Sequence, residues 1–200
     1  HPYSKNEGVD LKGIVDGLKG YGIKVILSSL LCLECHTKEN IRDDIGYLLS
    51  FKPTYSQFGL LSPAYGTPLW ERLEQEGRII NTIPFEDRHG FRCIWFKHKN
   101  FNLKEAEDIQ REAYINDYLR LGPSIVRWVE VNFKGYFNLI NSKSAILRRR
   151  AEKIKSEFGV YFVILFAAEH LVPTPEMRQR IRELRKELGF ELRRMVSINK

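Results

Sequence analysis

The chain has 200 residues, 43% of them hydrophobic and 28% charged, with a formal net charge of +7. That composition excludes a globally disordered chain and suits one packed domain, or one domain with an appendage. No apolar run approaches the ~18 residues of a membrane-spanning helix; the longest, Val160 to Ala168, reads as a buried helix. Three cysteines, Cys32, Cys35 and Cys93, are too few for a disulfide framework, which predicts a reducing, cytoplasmic setting. The chain begins His1-Pro2-Tyr3 without a signal-peptide pattern, as a processed chain or a piece of a longer one would.

Leu11, Ile14, Val15 and Leu18 recur at helical spacing behind Asp10, a good N-cap, and Gly20 or Gly22 stops this helix. "IKVILSSLL", residues 23 to 31, reads as a strand buried on both faces, as in a parallel sheet. Thr37 caps the next helix, whose stripe is Ile41, Ile45, Leu48 and Leu49, with Pro53 beyond its end. "YSQFGLL", residues 55 to 61, is a second strand. Thr67 then caps a helix with Pro68 at its first position and Leu69, Trp70 and Leu73 inward, closed by Gly77. Strands alternating with helices predict parallel pairing, but two strands alone leave open edges and little core.

Residues 79 to 102 are irregular and aromatic, with a short strand expected at about Phe91 to Phe96. From Leu103 the pattern is helical. Leu103, Ala106, Ile109 and Ala113 space one helix, and Val126, Val129, Phe133 and Phe137 the next. "SAILRRRAEKIKSEFG" is a basic helix stopped by Gly159, Val160 to Leu171 a buried one ended at Pro173. Pro175 starts the last, with Met177, Ile181, Leu184 and Leu188 inside. Residues 141 to 200 hold 14 basic and 7 acidic side chains, so the whole excess charge sits there. Such a patch suits nucleic acid, anionic lipid or an acidic partner, or is simply a solvated helical face.

The order strand, "CLECHT", helix, strand, Pro63-Ala64-Tyr65-Gly66-Thr67-Pro68-Leu69 resembles the second half of the barrel in radical S-adenosylmethionine enzymes of the class with an N-terminal cobalamin-binding domain. In that class the first loop reads Gly-Leu-Pro-Gly-Glu-Thr, and the second strand ends in Pro-x-Pro-Gly-Thr-Pro-Leu. The resemblance covers about residues 8 to 80, and residues 103 to 120 loosely. It implies an α/β fold: a partial (β/α) barrel with parallel strands over residues 1–80, an irregular connector over 81–102 and a mostly α-helical C-terminal region over 103–200. It implies that Ser28, Leu30 and Cys32 line the adenine of S-adenosylmethionine, with His36 where the family often has Glu. Gly66 and Thr67, at a helix N-terminus, suit a carboxylate or phosphate, or form only a capped turn. The family's Cys-x3-Cys-x2-Cys loop, which holds a [4Fe–4S] cluster, is absent from the sequence. The resemblance therefore implies that strands one to four, the cluster loop and the cobalamin domain lie upstream or in trans. The intact enzyme would cleave S-adenosylmethionine reductively, for radical methyl transfer or oxidoreduction of an unnamed small molecule. This chain alone would not be catalytic.

Cys32-Leu33-Glu34-Cys35-His36 also has the spacing of a c-type haem attachment site, with Met177 or Met195 as axial ligand. Cys32, Cys35, His36 and either Cys93 or His89 could hold zinc, and Cys-x-x-Cys could be redox-active. The plain alternative is a strand-end loop with small buried cysteines. His89 and His98, near Arg88, Arg92 and Trp95, read as part of a packed connecting loop or of a cover over the barrel mouth. Two other functions stay open: a non-catalytic binding module using Arg148, Arg149 and Arg150 on nucleic acid or an acidic partner, and a small zinc or redox protein built on Cys32, Cys35 and His36.

Overall fold

A computed structural model describes residues 8–198, apart from the side chains of residues 195, 196 and 198. The fold is mixed α/β, mostly helical, with one small parallel sheet of two strands. It divides into two compact units. One comprises His1–Val25, Pro53–Tyr55 and Leu121–Lys200, the other Ile26–Lys52 and Ser56–Arg120.

The sheet unit runs β1 (Ile26–Leu31), α2 (Asn40–Ser50), β2 (Tyr55–Leu60), α3 (Pro68–Gln75) and then α4 (Leu103–Leu121). The expected stripe of α2 is fully realised: Ile41, Ile45, Leu48 and Leu49 are buried, and α2 packs on β1. Leu31, Phe58 and Leu60 are buried too. The expectation that β1 is buried on both faces fails. Its side chains alternate, and Ile26 and Leu30 remain 61% and 55% exposed. An apolar run is legible without saying which face finds a cover. The short strand expected at about Phe91 to Phe96 is reduced to a single antiparallel bridge between Ile79 and Phe96. The backbone turns through His89 to Arg92, which leaves only Trp95 to Lys97 to face residues 78 to 80.

The helical unit holds α1 (Leu11–Gly20), α5 (Ser124–Ile140), α6 (Ala145–Ser156), α7 (Phe158–Leu171) and α8 (Pro175–Ile198). Asp10 caps α1 as expected, its carboxylate accepting from Gly13 N–H at 2.9 Å. Of the α1 stripe only Val15 is buried. The core gathers Val129, Phe133, Ile154, Phe158, Tyr161, Leu165 and Ile181 from α5, α6, α7 and α8. Asn132 bridges the Tyr161 hydroxyl, at 2.7 Å, and the Lys24 ammonium, and Tyr161 donates onward to Glu157. Gly159 does not stop α6; it lies inside α7, because the buried stripe Ile154, Phe158, Tyr161 runs on through the junction.

Glu169, buried on α7, accepts from Arg182 Nε at 2.8 Å and Arg185 Nε at 2.9 Å. The hydrogen bond from Arg182 is the largest influence on its carboxyl. Burial opposes it, Arg185 reinforces it, and the group is held below the usual carboxylate range. A depressed folded value gives stability that is present above the unfolded value of about 4.3 and lost as pH falls through the lower folded one. Glu169→Gln should therefore cost about 1 to 2 kcal/mol at neutral pH. The difference from the native chain should shrink on acidification below about pH 4.3; urea titrations across that range check it.

Candidate functional site

The two strands meet the chain's distinctive loops at their C-terminal ends, where open α/β sheets commonly bind ligands. The carbonyls of Val25 and Leu31 accept from Tyr55 N–H at 3.1 Å and Leu61 N–H at 2.8 Å. In a parallel ladder alternate residues address the same neighbour. The odd-numbered residues of β1 therefore face β2, and the N–H and C=O groups of Ile26, Ser28 and Leu30 point to the other edge. No further strand lies beside β1 among the described residues.

The outer edge of β2 is treated differently. Phe58 N–H donates to Tyr114 Oη at 3.2 Å, and Phe58 C=O accepts from Gln110 Nε2 at 2.7 Å. Leu60 N–H donates to the Gly90 carbonyl at 2.7 Å, and Gln110 Nε2 reaches that same carbonyl at 3.0 Å. A Cβ on Gly90 would stand 2.4 Å from the Leu60 carbonyl, so only glycine permits this strap. The sheet thus has one sealed edge and one open edge.

Ser28 and Leu30 stand on the uncovered face, and Ser28 Oγ donates to Gln57 Oε1 at 2.8 Å. Leu30 lies over Gly59, where a Cβ would stand in ordinary contact, 3.5 Å from Leu30 Cδ2. Cys32 follows at φ +56°, in the left-handed region that favours glycine. Its thiol is buried and turned inward, and burial pushes its pKa up to about 12. Such a thiol is neither a ready nucleophile nor a ready ligand.

His36 is also buried, and both of its ring nitrogens are engaged within the loop. Leu33 N–H donates to Nδ1 at 3.0 Å, which fixes the proton on Nε2, and Nε2 donates to Asp44 Oδ2 at 2.9 Å. Residues of the connector tie the loop down further. His98 Nε2 donates to Leu33 O at 3.0 Å, and Asn100 Nδ2 to His36 O at 2.8 Å. Burial is the main cause that holds His98 below its usual value. Glu34 accepts from Arg78 Nη1 at 2.8 Å and from Arg72. Burial alone would raise its carboxyl, but the two arginines more than offset that and hold it low.

Gly66 (φ +74°) makes the turn before α3, with open space where a Cβ would stand. Thr67 caps α3: its hydroxyl accepts from Trp70 N–H at 3.3 Å and donates to Ala64 O at 2.6 Å. Beside this turn Tyr65, 80% exposed, packs on Trp70, and Trp70 packs on Trp95, with ring centroids 4.7 and 5.0 Å apart. The Arg88 guanidinium lies over Trp95. This stack and the partner role of Gln57 escape sequence reasoning. The aromatic residues are visible in the sequence, but their convergence from the turn before α3, from α3 itself and from the connector is not.

The six sequence-derived positions thus separate. Ser28 and Leu30 present side chains on the open face, Cys32 and His36 shape the loop from within, and Gly66 and Thr67 form a cap. Cys35 is exposed while Cys32 and Cys93 are buried. Among the described residues no group of three or more His, Cys, Asp or Glu side chains could hold a metal ion. The zinc set of Cys32, Cys35, His36 and Cys93 or His89 is not assembled. His89 Nδ1 instead accepts from Phe91 N–H at 3.3 Å. Of the proposed haem ligands, Met177 is half-buried against the helical core, and the Met195 side chain lies outside the described residues. Compared with protein-family models, curated proteins and solved structures, the chain matches none.

Proposed function

We propose that this chain is the C-terminal part of a radical S-adenosylmethionine enzyme of the cobalamin-binding-domain class, with β1 and β2 as the last two strands of a partial (β/α) barrel. The observation that carries this reading is the asymmetry of the sheet. A barrel that ends at β2 needs its last edge closed, and Tyr114, Gln110 and Gly90 close it. The same barrel needs β1 to pair with an earlier strand, and the edge and face of β1 are open, with Ile26 and Leu30 exposed. The left-handed conformation of Cys32 adds support, since the family carries glycine at that position.

Ser28, Leu30 and Gln57 form the surface that fits an adenine-bearing cosubstrate: an apolar side chain and two polar ones on an uncovered strand face. Cys32 and His36 would contribute backbone shape rather than side-chain contact, because both side chains are buried. The residues present do not fit a [4Fe–4S] cluster, which needs three convergent thiolates. Cluster, cobalamin and the earlier strands belong in this reading to an upstream or separate segment, and S-adenosylmethionine when bound supplies the radical chemistry. The part of this chain is to complete the barrel wall, orient the adenine and close the mouth with the Tyr65–Trp70–Trp95 stack. The test is the gene's upstream reading frame. A Cys-x3-Cys-x2-Cys loop is expected there; a reading frame that opens at this chain, with no such loop in a neighbouring gene, would sink the proposal.

A further inference from the structure

We propose that Gln57 is a specificity-determining residue that selects a 6-amino purine over a 6-oxo purine, with Ser28 as its positioning residue. The inference deepens the enzymatic reading above and rests on it. In β2, Gln57 stands between Ser56 and Phe58, and both neighbours are committed to the covered face. Ser56 Oγ donates to Asp117 Oδ1 at 2.6 Å. Phe58 is buried, with its ring edge-on to Tyr114 and centroids 5.2 Å apart. Side chains alternate along a strand, so Gln57 points to the uncovered face. The register marked by Leu31 C=O and Leu61 N–H sets Ser28 beside Gln57 and Leu30 beside Gly59. The two pairs are two residues, about 6.6 Å, apart along the strands. An amide therefore adjoins an apolar shelf.

Ile26, Ser28 and Leu30 of β1 and Gln57 and Gly59 of β2 carry no charge. A phosphate or carboxylate finds no cation among them, whereas a neutral ring finds Leu30 to lie against. The amide then reads the edge of that ring. Ser28 Oγ donates to Gln57 Oε1 at 2.8 Å and takes one of its two lone pairs. The second lone pair stays available, and the Nε2 group has no partner among the described residues. What remains is one acceptor beside one donor. Adenine presents the complement, an N6 amino donor beside the N7 acceptor, and a glutamine amide meets that edge with two hydrogen bonds. A 6-oxo purine presents two acceptors, O6 and N7, so it keeps one bond and sets O6 against Oε1. Ser28 acts through Gln57, by holding the amide against the sheet.

Equilibrium dialysis tests this on the polypeptide that joins the gene's upstream coding sequence to this chain. The probes are S-adenosylmethionine and its 6-oxo counterpart, S-inosylmethionine. The native polypeptide should prefer the adenine form at least about tenfold, the discrimination of one bidentate pair. Gln57→Leu should bring the two within about twofold by weakening the adenine form, and Ser28→Ala should lower the preference in part. Both side chains are exposed, so the thermal melts should match the native one. The readout is a ratio of two ligands, which a general loss of folded protein does not move. Equal binding of both forms by the native polypeptide, or a native-sized preference in Gln57→Leu, would overturn the role of Gln57 and leave the enzymatic reading standing. An unchanged ratio in Ser28→Ala would overturn the positioning role of Ser28. A native polypeptide that binds neither form would overturn the enzymatic reading and this inference with it.

Discussion

Gly135→Ala is expected to destabilise the chain by about 2 to 3 kcal/mol, the upper part of the range for overpacking a close contact. A Cβ at this position would stand 2.5 Å from Gly22 Cα and 2.7 Å from Gly22 N. Both are backbone atoms and cannot swing aside. Gly22 itself sits at φ +73° and ends the turn after α1, so the backbone of that turn lies directly against α5. The helix-propensity gain of alanine over glycine, about 1 kcal/mol, works against the clash and is included in the figure. Gly17, also helical, has nothing within 4 Å of its Cβ position. Gly17→Ala should accordingly stabilise by up to about 1 kcal/mol. Urea denaturation followed by circular dichroism separates the two. A neutral Gly135→Ala would mean that the turn and α5 do not touch in solution.

His36→Glu, which installs the acid common in the resembling family, should destabilise by about 2 to 3 kcal/mol. The new carboxylate would be buried beside Asp44, whose carboxylate now accepts from Nε2 at 2.9 Å. Two acids at that distance repel, or one must take up a proton. Adding Asp44→Lys should recover much of the loss, and a double-mutant cycle gives the coupling. If His36→Glu alone is neutral, the His36–Asp44 bond is not what holds the loop. With Asp44 on α2, a donor at position 36 closes the loop and an acid would not.

Much of the fold is legible in the sequence. The stripe of α2, the Asp10 and Thr67 caps, Pro68 at the start of α3 and the positions of both strands all follow from spacing and capping chemistry. The N-cap of α2 is Glu39, without a side-chain cap, rather than the expected Thr37, which closes the turn before the helix. Thr37 exchanges hydrogen bonds with Asn40, whose N–H donates to Thr37 Oγ1 at 3.3 Å and whose Oδ1 accepts from Thr37 N–H at 2.7 Å. Coverage is not legible. "IKVILSSLL" and "VYFVILFAAEHL" read as buried on all sides, yet Leu30 and Val163 are exposed, because hydrophobicity records what a surface prefers and not whether a partner is there. The Cys-x-x-Cys-His spacing leaves metal ligands, a redox pair and a plain strand-end loop all open, while the backbone turn at Cys32 sends one thiol inward and leaves Cys35 outside. Long-range partners such as Arg78 for Glu34, or Asn100 for the carbonyl of His36, leave no local signal at all.

The central claim is that β1 and β2 complete the barrel of a radical S-adenosylmethionine enzyme. It is tested most directly by 5′-deoxyadenosine formation, measured anaerobically on the polypeptide that joins the gene's upstream coding sequence to this chain, after reconstitution with iron and sulfide. The account predicts 5′-deoxyadenosine from S-adenosylmethionine under a strong reductant. It also predicts that Leu30→Asp, which puts a charge on the open face without disturbing the buried one, lowers that rate at least about tenfold, or about 1.4 kcal/mol in the barrier. No 5′-deoxyadenosine from a polypeptide that holds its cluster, or an unchanged rate in Leu30→Asp, would contradict it.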